Sequence, residues 1–292
     1  MNLNFFIWNC QGAAKNDFLR TFISFCDCYN PSLVVLVEPR ISGLKADKII
    51  KRSGFDFSHR VEAQGFSGGI WILWKSNIHV SVMFNHRQFI HTKITVGATN
   101  DDFYFTAVYG SPHSPGRRTL WNDLTALGMD NNVPWLLAGD FNAILNAIDR
   151  RGGSHLRGLG CPHFNDFVDC NALIQLDFVG PALTWRRGNL MQRLDRALCN
   201  DKWLKKYPEA ITHHLPRINS DHRPILVKLH NHKHNASGNK PFRFLASWLI
   251  HHDFQQVVKN CWSNNSSFTD NVHHFINNIR DWNTNVFGNV FK

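Results

Sequence analysis

The chain has no basic leader followed by a long apolar stretch, and no apolar run reaches the length of about eighteen residues that a membrane span needs. Its seven cysteines contain one close pair, Cys26 and Cys28, and no spacing suited to zinc. An odd count without a disulfide framework predicts reduced thiols in an intracellular compartment. Internal repeats are absent, which excludes a solenoid. Acid is scarce too: 22 Asp and Glu face 32 Lys and Arg, for a net charge of +10 and a pI near 9.4. That balance favours a polyanionic partner. The basic residues form no compact run, so no nuclear import signal is legible and nuclear entry stays open. These features predict a soluble intracellular protein.

What is plentiful is core material. Of 292 residues 43% are hydrophobic, with ten tryptophans and twenty-three phenylalanines, which excludes a disordered chain. The length suits one large domain with a modest extension, or two small domains.

Short apolar runs predict buried strands at Leu3–Trp8, Leu33–Val37 and Pro134–Ala138. Gly68 onward, with His79–Phe84, Phe89–Val96 and Phe103–Val108, reads as an antiparallel meander. Helical spacing marks Asp17–Cys28, Lys45–Lys51, Arg117–Met129 and Cys161–Ile174. Strands and helices interleave without the repeat of a doubly wound sheet, so the expected class is α+β, two stacked and mainly antiparallel sheets flanked by helices. A polar, aperiodic stretch at 231–239 separates a domain over 1–230 from a helical extension over 240–292. In that extension Phe268, Val272, Phe275, Ile279, Trp282 and Val286 form an apolar stripe on a helix over 268–287. The stripe serves packing on a neighbouring helix or, alternatively, a weak partner site. No obligate protein partner is evident.

Polar motifs recur where the apolar runs end: Asn9-Cys10-Gln11-Gly12, Glu38-Pro39-Arg40, Val108-Tyr109-Gly110, Gly139-Asp140-Phe141-Asn142, Leu183-Thr184-Trp185, Arg193-Leu194-Asp195 and Ser220-Asp221-His222. Each has a bland reading. Glu38 alone is a loop acid, and Gly139, Asp140 and Asn142 are turn formers. Asp195 alone is an ion-pair partner for Arg193 or Arg196, and Tyr109 is edge packing. Together, acids, amides and a histidine at strand ends suggest a sheet rim around a hard metal and a phosphate. Asp140 and Asn142 alternate around Phe141, so extended geometry aims both to one side. A histidine beside an acid is held in one tautomer with a raised pKa. Basic residues crowd Arg150 to Lys206, namely Arg150, Arg151, Arg157, Arg186, Arg187, Arg193, Arg196, Lys202, Lys205 and Lys206, interleaved with Trp185 and Trp203. Beside candidate phosphate ligands this reads as a backbone-gripping surface.

The ordered set, from Asn4 to about Leu229, resembles the endonuclease/exonuclease/phosphatase superfamily, with its DNase I-like four-layer α/β sandwich. Within it, Val-Glu-Pro-Arg-Ile-Ser-Gly, Pro-Trp-Leu-Leu-Ala-Gly-Asp-Phe-Asn and Arg-Leu-Asp-Arg-Ala-Leu are similar to the endonuclease of plant LINE-type retrotransposons. Past residue 240, Pro-Phe-Arg-Phe and Trp-Asn-Thr-Asn-Val-Phe-Gly resemble the segment leading to a reverse transcriptase.

The resemblance implies a Mg²⁺-dependent DNA endonuclease, with Mn²⁺ as a substitute ion, that nicks one strand and leaves a 3′ hydroxyl. It implies Glu38, Asn9 and Asp221 as metal ligands, and Asp140, assisted by Asn142, as the base that activates water. His222, kept cationic by Asp195, would stabilise charge on the phosphate, and Tyr109 would contact it. Thr184 and Ser220 would help position the nucleic-acid strand, to which the charge reading of the basic segment adds Arg186, Arg187 and Arg193. Gln11 departs from repair members of the family, which usually carry an acid there. Two other readings stand beside this one: a catalytically retired nucleic-acid binder, and a phosphatase of a small phosphoester.

Overall fold

The structure is a computed structural model that describes residues 3–65, 68–97, 101–127, 129, 132–153, 160–229, 253–263 and 266–282. Contacts divide the chain into two compact units, Met1–Asn235 and Ala236–Lys292.

The first unit opens with β1 (Leu3–Asn9), α1 (Phe18–Tyr29), β2 (Leu33–Val37) and α2 (Gly43–Lys51). Next come β3 (Phe57–Val61), β4 (Ile70–Trp74), β5 (Ile78–His86), β6 (Phe89–Val96), β7 (Asp101–Tyr109) and α3 (Ser114–Thr125). β8 (Trp135–Asp140), a 3₁₀ turn (Ala147–Asp149), β9 (Arg150–Arg151) and α4 (Pro162–Cys170) follow. Five short strands are β10 (Ile174–Gln175), β11 (Phe178–Val179), β12 (Trp185–Arg187), β13 (Leu190–Gln192) and β14 (Asp195–Cys199). α5 (Asp201–Lys206), β15 (Ile211–His214) and β16 (Ile225–Leu229) complete the unit.

Two large mixed sheets result, ordered β11-β15-β16-β1-β2-β4-β3 and β10-β14-β8-β7-β6-β5, with a small third sheet, β12-β13-β9. Alternation explains the layering. Phe5 and Ile7 of β1 face the second sheet, meeting Phe103, Phe105 and Leu136 in the central core. Phe6 and Trp8 face the other way, onto Phe18 and Phe22 of α1. On the far side of the second sheet, Val108 and Leu137 pack under Trp121 of α3 and Phe164 of α4. Helix, sheet, sheet, helix is the DNase I-like α+β sandwich. Strands covered on both faces explain why their sequences are apolar throughout.

Several local expectations are corrected. β4 does not join the meander; it pairs with β2 and β3 in the first sheet, leaving β5, β6 and β7 as the antiparallel meander. α4 ends at Cys170, because Ala172 takes a left-handed φ of 48°, and Ile174 enters β10. α3 begins a turn before Arg117, with Pro115 in its first turn where a missing N–H is harmless. Gly139 lies in β8 and not in a turn: a Cβ there would lie 1.9 Å from the Val108 carbonyl oxygen of the neighbouring strand. All seven cysteines are free thiols. No helix among the described residues is long and apolar enough to cross a membrane.

In the second unit α6 (Phe254–Asn260) and α7 (Phe268–Trp282) pack through Phe254 and Ile279, joined by Val257, Phe275 and Trp282. Phe268 is left 74% exposed. Val286, the 231–239 segment and the Pro-Phe-Arg-Phe motif lie outside the described residues.

One core histidine makes stability depend on pH. His91 of β6 is buried, its Nδ1 2.8 Å from Thr106 Oγ1, and its ring stacks on Tyr104. Burial lowers its pKa from 6.5 to about 4. Between those values the unfolded chain binds the extra proton, so stability is full above pH 6.5 and falls as pH drops toward 4. The loss attributable to His91 at pH 5 is about 2 kcal/mol. Urea unfolding of the wild type and His91→Gln at pH 7 and pH 5 checks this; equal losses in both proteins would refute it.

Candidate active site

The parallel pairs β1–β2 and β7–β8 place their C-terminal ends on one rim. Asn9 closes β1 in register with Val37, so Glu38 emerges beside it. Tyr109 and Asp140 are register partners at the ends of β7 and β8, and Asp140 is also the partner of Asp195 on β14. His222 precedes β16 and bridges to Trp185. Six separate segments thus deliver one cluster.

Asn9 Nδ2 is its hub, lying 2.9 Å from Asp140 Oδ2, 3.3 Å from Glu38 Oε1 and 3.4 Å from His222 Nε2. Its own Oδ1 accepts the Gln11 N–H. Glu38 Oε1 also accepts the Tyr109 hydroxyl at 2.9 Å. Glu38 Oε2 pairs with Arg40, whose Nη2 reaches Gln11 Oε1 at 2.6 Å. Asp140 accepts Asn142 twice, from its backbone N–H at 2.9 Å and its Nδ2 at 3.0 Å. Asn142 reaches back because its φ is 48°, and its Nδ2 also bonds Gly110 O. His222 Nδ1 lies 2.9 Å from Asp195 Oδ2, and its Nε2 faces Asp140 Oδ2 at 3.8 Å.

The electrostatics follow from burial. Asp140 and His222 are 0% and 2% exposed. Burial lifts Asp140 to about 7, with Asp195 adding to the rise and His222 opposing it. Burial alone would neutralise His222, but Asp195 and Asp140 overcome it and raise the imidazole to about 9. The result is an imidazolium next to a carboxylate poised near neutrality. Burial, then Glu38, pushes the Tyr109 phenol above its ordinary value.

Donor atoms of Asp140, Asp195 and His222 lie within 4.8 Å of one another, which makes them a possible acidic metal site. A protonated imidazole has no lone pair to give, so charge favours proton handling for that trio. Better donors lie alongside. Asp221 Oδ1 is buried and accepts no hydrogen bond from any described residue, while its Oδ2 accepts Trp185 Nε1 at 3.0 Å. That orphaned carboxylate oxygen, 4.0 Å from His222 Nε2, suits a hard divalent cation.

Some expected strand-binding residues have other duties. Thr184 is fully buried, and its Oγ1 accepts the Leu194 and Asp195 N–H groups at 3.0 Å each; it holds Asp195 in place from below. Ser220 donates to Asn9 O at 2.7 Å and accepts the His222 N–H, tying the histidine loop to β1. Arg193 is 8% exposed, paired with Asp149 and stacked over Phe178. Arg196 is buried on the same Asp149, so neither arginine is the ion-pair partner of Asp195. Lys205 pairs with Asp201, Lys206 bonds Asp102 O, and Trp203 is core. Arg186 and Arg187 are exposed on β12, and Arg151 is exposed on β9. Arg151 and Arg186 both register with Met191, so they stand in one row across the small sheet. Arg157 lies outside the described residues. Sequence reading missed the Arg40–Gln11 contact and the Asp149 anchor; the spacing of Glu38 and Arg40 was the available signal.

Fold and rim together define a hydrolase of the DNase I-like class, acting on phosphoester bonds. The chain belongs to the endonuclease/exonuclease/phosphatase family, whose model matches residues 6–222. Among solved structures it is similar to an AP endonuclease, LMAP, from Leishmania major (15% identity, TM-score 0.61, covering 78% of this chain and 87% of that one). It is also similar to the endonuclease domain of TRAS1, a telomere-specific non-LTR retrotransposon (13% identity, TM-score 0.57, 78% and 98% covered). A third is the 3′ phosphatase NExo from Neisseria bound to product DNA hairpin (16% identity, TM-score 0.56, 78% and 99% covered). No curated protein sequence matches the chain.

Proposed function

We propose that this protein is a Mg²⁺-dependent DNA endonuclease of LINE-type origin that nicks one strand and leaves a 3′ hydroxyl. The observation that carries the reading is the buried relay Asp195–His222–Asp140, joined through Asn9 to Glu38. Asp140, held by Asn142, takes the proton of a water attacking phosphorus, and its position near neutrality suits a general base. His222, cationic through Asp195, offsets charge on the phosphoryl oxygens, the bond from phosphorus to O3′ breaks, and O3′ takes a proton from solvent water to leave as the 3′ hydroxyl. Tyr109 donates its hydroxyl proton to Glu38 and orients that carboxylate. Mg²⁺ or Mn²⁺ held by Glu38, Asn9 and Asp221 would supply Lewis-acid stabilisation of the leaving oxygen. DNA is the favoured polyanion because the row of exposed arginines on β9 and β12 suits a backbone longer than a small phosphoester. The complete set of polar groups weighs against a retired binder.

Supercoiled plasmid supplies the test, with Mg²⁺, with EDTA, and with Glu38→Ala. Relaxed circles are expected only with the wild type and Mg²⁺. A gel shift without nicking by the wild type would refute the enzyme reading in favour of a binder. Faster phosphate release from a small phosphoester would favour a phosphatase.

A further inference from the structure

Glu38 is saturated. A carboxylate has room for about four hydrogen bonds, and this one accepts the Tyr109 hydroxyl and Asn9 Nδ2 on Oε1, and Arg40 Nε and Nη2 on Oε2. Any cation that takes Glu38 as a ligand must displace a donor. Tyr109 and Asn9 are walled in at strand ends, 6% and 0% exposed. Arg40 sits on a loop with 39% of its side chain exposed, so it is the donor free to leave.

The surrounding backbone is built to hold this arrangement. Gln11, Glu38 and Arg40 all adopt left-handed φ values, 53°, 53° and 54°. Gly12 N–H and Ala13 N–H bond the Glu38 and Pro39 carbonyls, zipping the two loops together. Three non-glycine residues in a disfavoured conformation meet where one amide, one acid and one guanidinium converge. Gln11 holds the guanidinium from outside the Glu38 carboxylate without neutralising it. An acid at that position would instead grip Arg40 as a second ion pair.

We propose that Arg40 and the divalent ion compete for Glu38, and that the ion's arrival releases the guanidinium, still tethered by Gln11, toward the substrate phosphate. This rests on the reading of Glu38 as a metal ligand. Arg40 then acts as a positioning residue. It weakens metal affinity in the free protein and makes metal and phosphodiester bind cooperatively, because the cation displaced by one is supplied to the other.

Calorimetric titration of the full chain with Mn²⁺ tests the competition. Removing one positive charge beside the ligand should tighten Mn²⁺ binding about tenfold or more in Arg40→Gln, while Arg40→Lys stays near the wild type. Mn²⁺ is expected to raise wild-type affinity for a phosphorothioate-blocked duplex, and Arg40→Gln to lose most of that gain. Arg40→Gln binding Mn²⁺ no more tightly than the wild type overturns the proposal. Unaltered protein provides a second measurement: Mn²⁺ should increase phenylglyoxal modification of Arg40, read by peptide mapping, and an unchanged yield also overturns it. Glu38→Gln separates the two levels. Lost Mn²⁺ binding supports the shared site, whereas wild-type affinity in that variant sinks the metal reading itself.

Discussion

Asp140→Asn is expected to lower single-turnover nicking by about 10³-fold or more, within the range that a positioned general base contributes, while duplex affinity changes only a few-fold. The substitution preserves shape but removes the basic lone pairs that Asn9, Asn142 and His222 hold in place. His222→Ala should cost a similar factor, since it removes the imidazolium that Asp195 maintains. The two losses should not multiply in the double variant, because the groups act as one unit. Cleavage of a labelled duplex under enzyme excess reads all three proteins. Asp140→Asn turning over within tenfold of the wild type would remove Asp140 from the mechanism.

Asp149→Ala is expected to destabilise the first unit by about 3–5 kcal/mol, the range for removing one partner of a buried ion pair. Asp149 is 1% exposed and accepts Arg193 and Arg196 together with the Leu145 and Asn146 N–H groups. Alanine would leave two guanidiniums buried without a counter-charge. Denaturant titration of the variant against the wild type measures the difference, and a change below about 1 kcal/mol would mean the arginines find water or new partners. The consequence reaches the active site, because Arg193 donates its N–H to Asp149 O and its neighbours Leu194 and Asp195 hang from Thr184.

Much of this was legible from order and spacing. Leu33–Val37 read as a doubly covered strand because five consecutive apolar residues leave no face for water, and β2 is buried throughout. The endings at Asn9, Glu38, Tyr109 and Asp140 pointed to a rim, since a polar residue closing a buried strand sits where the sheet meets solvent. The charge run from Arg150 to Lys206 was less informative. Two of its arginines turned inward onto Asp149, some forty residues from Arg193 in sequence. No periodicity marks such a pairing.

By itself the sequence determined the layered α+β class, the strand ends that carry polar groups, and the family. Those are consequences of hydrophobic period and local motif, which act within a few residues. Only the tertiary structure decided that β4 leaves the meander, that Thr184 and Arg193 support the site from inside, and that Arg40 occupies Glu38. Each depends on which distant segments the sheets bring within hydrogen-bonding reach, and there burial makes every polar group find a partner.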